Sequence, residues 1–234
     1  MSQLIVALDV DTFDEAKILV DSLGEIVDIF KVGSQLFTAC GPAVNQYLLE
    51  KRKKVFLDLK FHDIPNTVAN AVSSAVGLSK MADQGLFMLS VHTAGGGEML
   101  KKAAQAAAKK AASIQVKKPL IVGITVLTSD EKKDNIHELV LERASLAKEA
   151  GCDGVVASGQ EASIIRKKLG NNFVIVTPGI RLSDEDSADQ KRIATPAEAI
   201  QNGSDYLVVG RSVIKAINPL GVVKKILEQM DSVK

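Results

Sequence analysis

The chain has 234 residues, of which 46% are hydrophobic and 24% charged; 29 basic side chains face 28 acidic ones, for a net charge of +1. That balance argues against a nucleic-acid partner, and the apolar fraction is ordinary for a globular protein with a large core. Aromatics are 4% with no Trp, so the core must rest on Val, Ile, Leu and Ala, as suits a buried parallel sheet under small-residue helices. The lysine pairs at 101–102, 109–110 and 117–118 lack interleaved aromatics and read as solvated helix faces. Cys40 and Cys152 have no metal-ligand spacing and read as reduced thiols. The first apolar stretch, 4–8, is too short for a signal peptide or a membrane span, so a cytoplasmic protein without membrane contact is expected.

Apolar runs of strand length recur at 4–8, 29–32, 55–59, 86–91, 120–126, 154–157, 173–177 and 206–209. Between them lie stretches of helical character. The first, 11–23, opens on the cap candidates Asp11 and Thr12; 43–53 follows Gly41-Pro42, and 67–82 follows Pro65-Asn66. Then come 98–112, 136–150, 161–169, 197–202 after Thr195-Pro196, and 220–230. Eight strands alternating with eight helices predict an α/β protein with a parallel sheet. At this length, closure into a single-domain (β/α)8 TIM barrel spanning 1–234 is favoured over an open sheet.

Strand ends in such a barrel deliver residues to the active site. The third strand ends in Asp58-Leu59-Lys60-Phe61-His62-Asp63. Residues two apart on a strand point the same way, so Asp58 and Lys60 share a face, with Asp63 in the loop beyond. Asp9 ends the first strand and Lys31 the second. Four strand-end charges of alternating sign suggest a network that orients a reaction, or alternatively an ion-pair cluster that only closes the barrel mouth.

The far strands carry phosphate signals. Pro178-Gly179-Ile180-Arg181 follows the seventh strand, and Gly210-Arg211-Ser212 follows the eighth, where a helix could begin. Barrels of this kind bind phosphate in these two loops, and arginine offers a forked cation. The polar stretch 181–192 is long for a connection and reads as a lid.

Asp58-x-Lys60-x-x-Asp63-Ile64-Pro65-Asn66-Thr67 resembles the signature of the orotidine 5'-monophosphate decarboxylase family. The resemblance extends in order through Ala7-Leu8-Asp9, Phe30-Lys31-Val32-Gly33, Val91-His92-Thr93-Ala94-Gly95-Gly96, Val126-Leu127-Thr128-Ser129, Thr177-Pro178-Gly179-Ile180-Arg181, Gln190-Lys191-Arg192 and Val209-Gly210-Arg211. It implies decarboxylation of orotidine 5'-monophosphate to UMP, the last step of de novo pyrimidine synthesis, with no cofactor and no metal. Lys31, Asp58, Lys60 and Asp63 then form the charge network, with Lys60 as proton donor to C6 and Asp58 against the substrate carboxylate. Asp9 and Lys31 resemble ribose contacts, Thr128 the hydroxyl that reads the base, and Gln190 a lid residue bridging base and phosphate. Arg181, Gly210 and Arg211 resemble phosphate contacts, and Ile64 and Pro178 complete the substrate-binding set. Asp63 and Thr67 are implied to reach into a partner's site, making a homodimer with shared active sites.

His62 and His92 lie near this site, but Lys60 already supplies the proton; His137 opens a helix and is expected to face solvent. The nearest rival is a Mg2+-dependent sugar-phosphate enzyme of the same suprafamily, such as 3-keto-L-gulonate 6-phosphate decarboxylase or hexulose-phosphate synthase. Those carry a metal-binding Glu at the end of strand two, where this chain has Lys31. An inert phosphosugar- or nucleotide-binding barrel is the other alternative.

Overall fold

The apolar runs become eight parallel strands, and each pairs with its sequence neighbour until β8 returns to β1 and closes the barrel. The computed structural model describes residues 2–81, 85–127, 135–182 and 193–233. The strands are β1 (Gln3–Ala7), β2 (Ile29–Gly33), β3 (Lys54–Phe61), β4 (Met88–His92), β5 (Leu120–Ile124), β6 (Gly154–Val156), β7 (Val174–Thr177) and β8 (Tyr206–Val209). The helices are α1 (Phe13–Leu23), α2 (Ser34–Cys40), α3 (Ala43–Glu50), α4 (Pro65–Gly77), α5 (Gly96–Ser113), α6 (Ile136–Glu149), α7 (Ala162–Leu169), α8 (Pro196–Gln201), α9 (Arg211–Ile214) and α10 (Pro219–Asp231). None of the described helices is long and apolar enough to cross a membrane.

Local chemistry explains most boundaries. Thr12 caps α1 and Thr195 caps α8, each in a reciprocal capping box with the glutamate three residues on, Glu15 and Glu198. Helix α4 starts at Pro65, two residues before the expected start, because a first-turn proline loses no intrahelical hydrogen bond. The expectation passed over α2 entirely. It buries only Leu36 and lacks a side-chain cap, so neither periodicity nor a start signal marks it. Helix α9 has four residues, too few to show a period.

Alternation along the strands divides the core into two layers. Ile5, Ala7, Ile29, Phe56, Met88, Val122, Val176 and Val208 point inward and fill the barrel. Their neighbours, among them Val6, Phe30, Leu57, Leu89, Val155 and Leu207, point outward and pack beneath the helices. A filled interior cannot be a channel, so space for a ligand exists only above it, at the strand C-termini.

The opposite end is held by charges. Asp153 accepts from both the Lys118 ammonium, at 2.8 and 2.7 Å, and the Ile121 N–H, tying the starts of β5 and β6. Arg166 donates to the carbonyls of Gly170 and Phe173, each at 2.8 Å, to Gly203 O and to Asp205 Oδ2. Asp205 in turn accepts from the Ile175 N–H at 2.8 Å, which joins β7 to β8. Cys40 and Cys152 are unpaired, and burial, with Asp153 nearby, pushes the Cys152 thiol up to about 12, so it is unreactive.

Arg166→Ala strips several carbonyls and a carboxylate of one partly buried cation, with an expected loss of about 3 kcal/mol. Urea unfolding should register that loss, while turnover per folded molecule stays unchanged, because this clamp lies at the barrel end away from the cavity.

Candidate active site

Extending the inward rows by two residues generates the site. Asp9 follows Ala7, Lys31 follows Ile29, Asp58 follows Phe56 and Ser90 follows Met88. On the far side Ile124 follows Val122, Pro178 follows Val176 and Gly210 follows Val208. All of these but Ser90 line a cavity of about 430 Å³, together with Ala7, Phe56 and Val208 of the layer below. Charge concentrates on the β1–β3 side. Across the cavity stand Arg181 and Arg211, with apolar Ile124, Val126 and Val156 between.

The charges form one connected cluster. Lys31 Nζ lies 2.9 Å from Asp9 Oδ1 and 3.7 Å from Asp58 Oδ2. Lys60 Nζ lies 2.8 Å from that same Asp58 oxygen. The other Asp58 oxygen, Oδ1, accepts from the Ser90 hydroxyl at 2.7 Å. Asp58 is 7% exposed. Burial pushes its carboxyl up, but the Lys31 and Lys60 ammoniums and the hydrogen bonds from Lys60 and Ser90 outweigh burial and hold it below its ordinary value. The Lys31–Asp9 pair also depends on Gly33: a Cβ there would stand 3.1 Å from Lys31 Nζ and 3.2 Å from Asp9 Oδ1.

The shared face of Asp58 and Lys60 arises differently from simple alternation. The β3–β4 register shifts between Leu57 and Phe61, and Lys60 has φ of 52°. A left-handed non-glycine residue is costly and persists only where its surroundings enforce it. Here it turns the ammonium back onto Asp58.

On the far side, Arg181 is 6% exposed and donates to the Ile180 carbonyl at 2.9 Å. A parallel bridge pairs Ile180 with Ala194, residues that flank the stretch expected as a lid. Gly179 has φ of 78°, a conformation that favours glycine.

Eight of the expected residues therefore come together around the cavity: Asp9, Lys31, Asp58, Lys60, Pro178, Arg181, Gly210 and Arg211. Asp63, Ile64 and Thr67 do not; all are exposed, Ile64 to 67%, and Asp63 Oδ1 accepts only the adjacent Ile64 N–H among the described residues. Thr128, Gln190 and residues 183–192 of the expected lid lie outside the described residues. His62 and His92 stack with ring centroids 5.3 Å apart and line no part of the cavity, and His137 is exposed.

Two residues of the site were missed, one behind Asp58 and one in the cavity wall. Ser90 was signalled, as a polar residue inside the apolar run of β4. Gln35, which lines the cavity and donates to Asp11 at 2.6 Å, was not, since it stands on the unanticipated α2.

Residues 2–226 match the model of the Orotidine 5'-phosphate decarboxylase / HUMPS family. The chain belongs to this family. Similar members include the Orotidine 5'-phosphate decarboxylase of Moorella thermoacetica, 44% identical over 99% of this chain and 93% of that protein. The one from Legionella pneumophila (strain Corby) is 46% identical over 97% of this chain and 99% of its own. Among solved structures, Orotidine 5'-phosphate decarboxylase from Lactobacillus acidophilus superposes with a TM-score of 0.83 at 32% identity, covering 99% of this chain and 100% of that one. The family assignment thus agrees with a barrel whose charged mouth was assembled from strand positions alone.

Asp58 gives this site a defined pH response. A carboxyl held below its unfolded value stabilises the fold above that value, and the contribution disappears as pH falls through the folded-state pKa. Removing a neighbouring cation weakens the depression. In Lys31→Ala, carboxyl-carbon NMR should place the Asp58 titration at higher pH than in the wild type, and acid unfolding should begin at higher pH. An unmoved titration would show that Lys31 does not act on Asp58.

Proposed function

We propose that this chain decarboxylates orotidine 5'-phosphate to UMP, the closing step of pyrimidine nucleotide synthesis, with Lys60 as proton donor and no metal ion. The observation that carries the reading is the carboxylate of Asp58 held ionised between Lys31 and Lys60, across a cavity from two arginines. With the 5'-phosphate near Arg181 and Arg211, the pyrimidine lies toward β3 and its C6 carboxylate meets Asp58. Two anions in contact repel, and departure of CO2 relieves that repulsion. The C6–carboxyl bond breaks, its electron pair stays on C6, and the adjacent Lys60 ammonium stabilises that charge. Lys60 then gives a proton to C6, forming UMP, and regains one from water. Only interactions that strengthen as charge moves onto C6 speed the step, which is the part assigned to Lys60.

Asp9 and Lys31 serve the ribose in this reading, Pro178 and Gly210 shape the phosphate side, Thr128 reads the base, and Gln190 links base to phosphate from the lid. Relatives named as this decarboxylase support the substrate. The charge at the end of β2 supports the absence of a metal: Lys31 already neutralises Asp9 and stands beside Asp58, so a divalent cation would meet an ammonium there. A cytosolic location belongs to the same reading, supported by two unpaired thiols.

Consumption of orotidine 5'-phosphate, followed by ultraviolet absorbance in excess EDTA, tests this directly. The wild type should turn over, and Lys60→Ala should lose a factor on the order of 10²–10⁴. Turnover only of a keto-sugar phosphate, and only with added Mg2+, would replace the reading with its rival.

The functional unit in this reading is a homodimer, with Asp63 and Thr67 completing the partner's site. The exposure of Asp63 and the apolar Ile64 in the loop after β3, and of Thr67 in the first turn of α4, supports that geometry. Mixing Lys60→Ala and Asp63→Ala chains, each nearly inactive, should restore up to about a quarter of wild-type activity, because half the dimers gain one intact site of two. No recovery after verified subunit exchange would remove Asp63 from the partner's site.

A further inference from the structure

Ser90 is fully buried on β4 and lies outside the set of residues assigned above to substrate. Its hydroxyl makes two hydrogen bonds whose directions are forced. The Lys60 backbone N–H can only donate, so Ser90 Oγ accepts it, at 2.9 Å. The Ser90 proton is therefore available for Asp58 Oδ1, 2.7 Å away. One side chain thus bonds to both members of the Asp58–Lys60 pair.

The consequences follow from the local backbone. Where the β3–β4 register breaks and Lys60 turns left-handed, Ser90 supplies the acceptor for the Lys60 N–H. By engaging Oδ1, the same hydroxyl turns the Asp58 carboxylate so that Oδ2 meets both ammoniums, at 2.8 Å from Lys60 and 3.7 Å from Lys31. Without this hydroxyl the carboxylate could rotate, and Lys60 would keep its left-handed turn with its partly buried N–H deprived of this acceptor.

We propose that Ser90 is a positioning residue for decarboxylation: its hydroxyl sets both the rotation of the Asp58 carboxylate and the backbone turn that aims the Lys60 ammonium. The inference rests on the assignment of Asp58 and Lys60 to the reaction. Ser90 does not line the cavity, so its removal acts on turnover and spares affinity for the nucleotide product, whose phosphate is assigned to the far side of the cavity.

The test compares Ser90→Ala, Ser90→Cys and Ser90→Thr with Lys60→Ala. Misplacing a catalytic group slightly costs up to about 100-fold, so Ser90→Ala should lower kcat by about 10- to 100-fold while UMP affinity stays within about threefold. Ser90→Cys keeps nearly the same volume with a weak hydrogen-bonding group and should be similarly impaired; Ser90→Thr keeps the hydroxyl and should recover most of the turnover. The acid limb of kcat should also move to higher pH in Ser90→Ala, since a hydrogen bond favouring the ionised carboxylate is gone while Lys31, Lys60 and, beyond Lys31, Asp9 remain around it. Wild-type kcat in Ser90→Ala or Ser90→Cys would overturn the proposal. So would equal losses of kcat and UMP affinity with an unmoved acid limb, the mark of a merely structural residue. If Ser90→Ala fails to fold, Ser90→Cys decides between these outcomes. An active Lys60→Ala would instead overturn the underlying reading of the site, independently of Ser90.

Discussion

A carboxylate removed from water is tolerated only when other groups replace its hydration, and Asp58 is the residue around which this barrel mouth is arranged. An isolated buried carboxylate would take up a proton. Here Lys31 reaches it from β2, Lys60 from β3 itself and Ser90 from β4. Three consecutive strands must therefore hold their register for one anion to stay ionised. In the parallel pairing of β2 with β3, Gly33 stands opposite Asp58, and its missing side chain leaves room for the Lys31–Asp9 pair. Packing of the outer layer against the helices fixes the strands, and the strands fix the charges.

The barrel's two ends use charge in different ways. At the base, Arg166, Asp205 and Asp153 bond to backbone groups in and just before the strands, and Lys118 pairs with Asp153, so their electrostatic potential is spent on the scaffold. At the mouth, side chains mainly satisfy one another around an open cavity, leaving charge directed at whatever enters. In the proposed reaction, a substrate carboxylate set against Asp58 raises the energy of the resting complex, and departure of CO2 relieves that repulsion. A rigid scaffold is what prevents the site from relaxing that repulsion by moving apart.

The loop after β3 points the other way. Lys60 turns inward through a left-handed residue, whereas Asp63, Ile64 and Thr67 face outward. A motif continuous in sequence is thus split in space within a few residues. The proposed dimer uses both halves of it, one in each site, so catalysis and association share a single short segment.

Much of this was legible in the residues. Strand and helix periods, cap residues and the regular spacing of apolar runs determined an eightfold βα barrel, because period reports which face is buried and that information is local. The charges Asp9, Lys31, Asp58 and Lys60 and the arginines Arg181 and Arg211 were legible for the same reason: strand ends in a barrel converge, so a residue's place in its strand predicts its place in the site. Only the tertiary structure decided the rest. The β3–β4 register shift, the left-handed Lys60, the bond from Ser90 to Asp58 and the presence of Gln35 on α2 depend on which atoms of distant segments meet. A hydroxyl's partner is set by registry across strands to within an ångström, and no pattern along one strand encodes that distance.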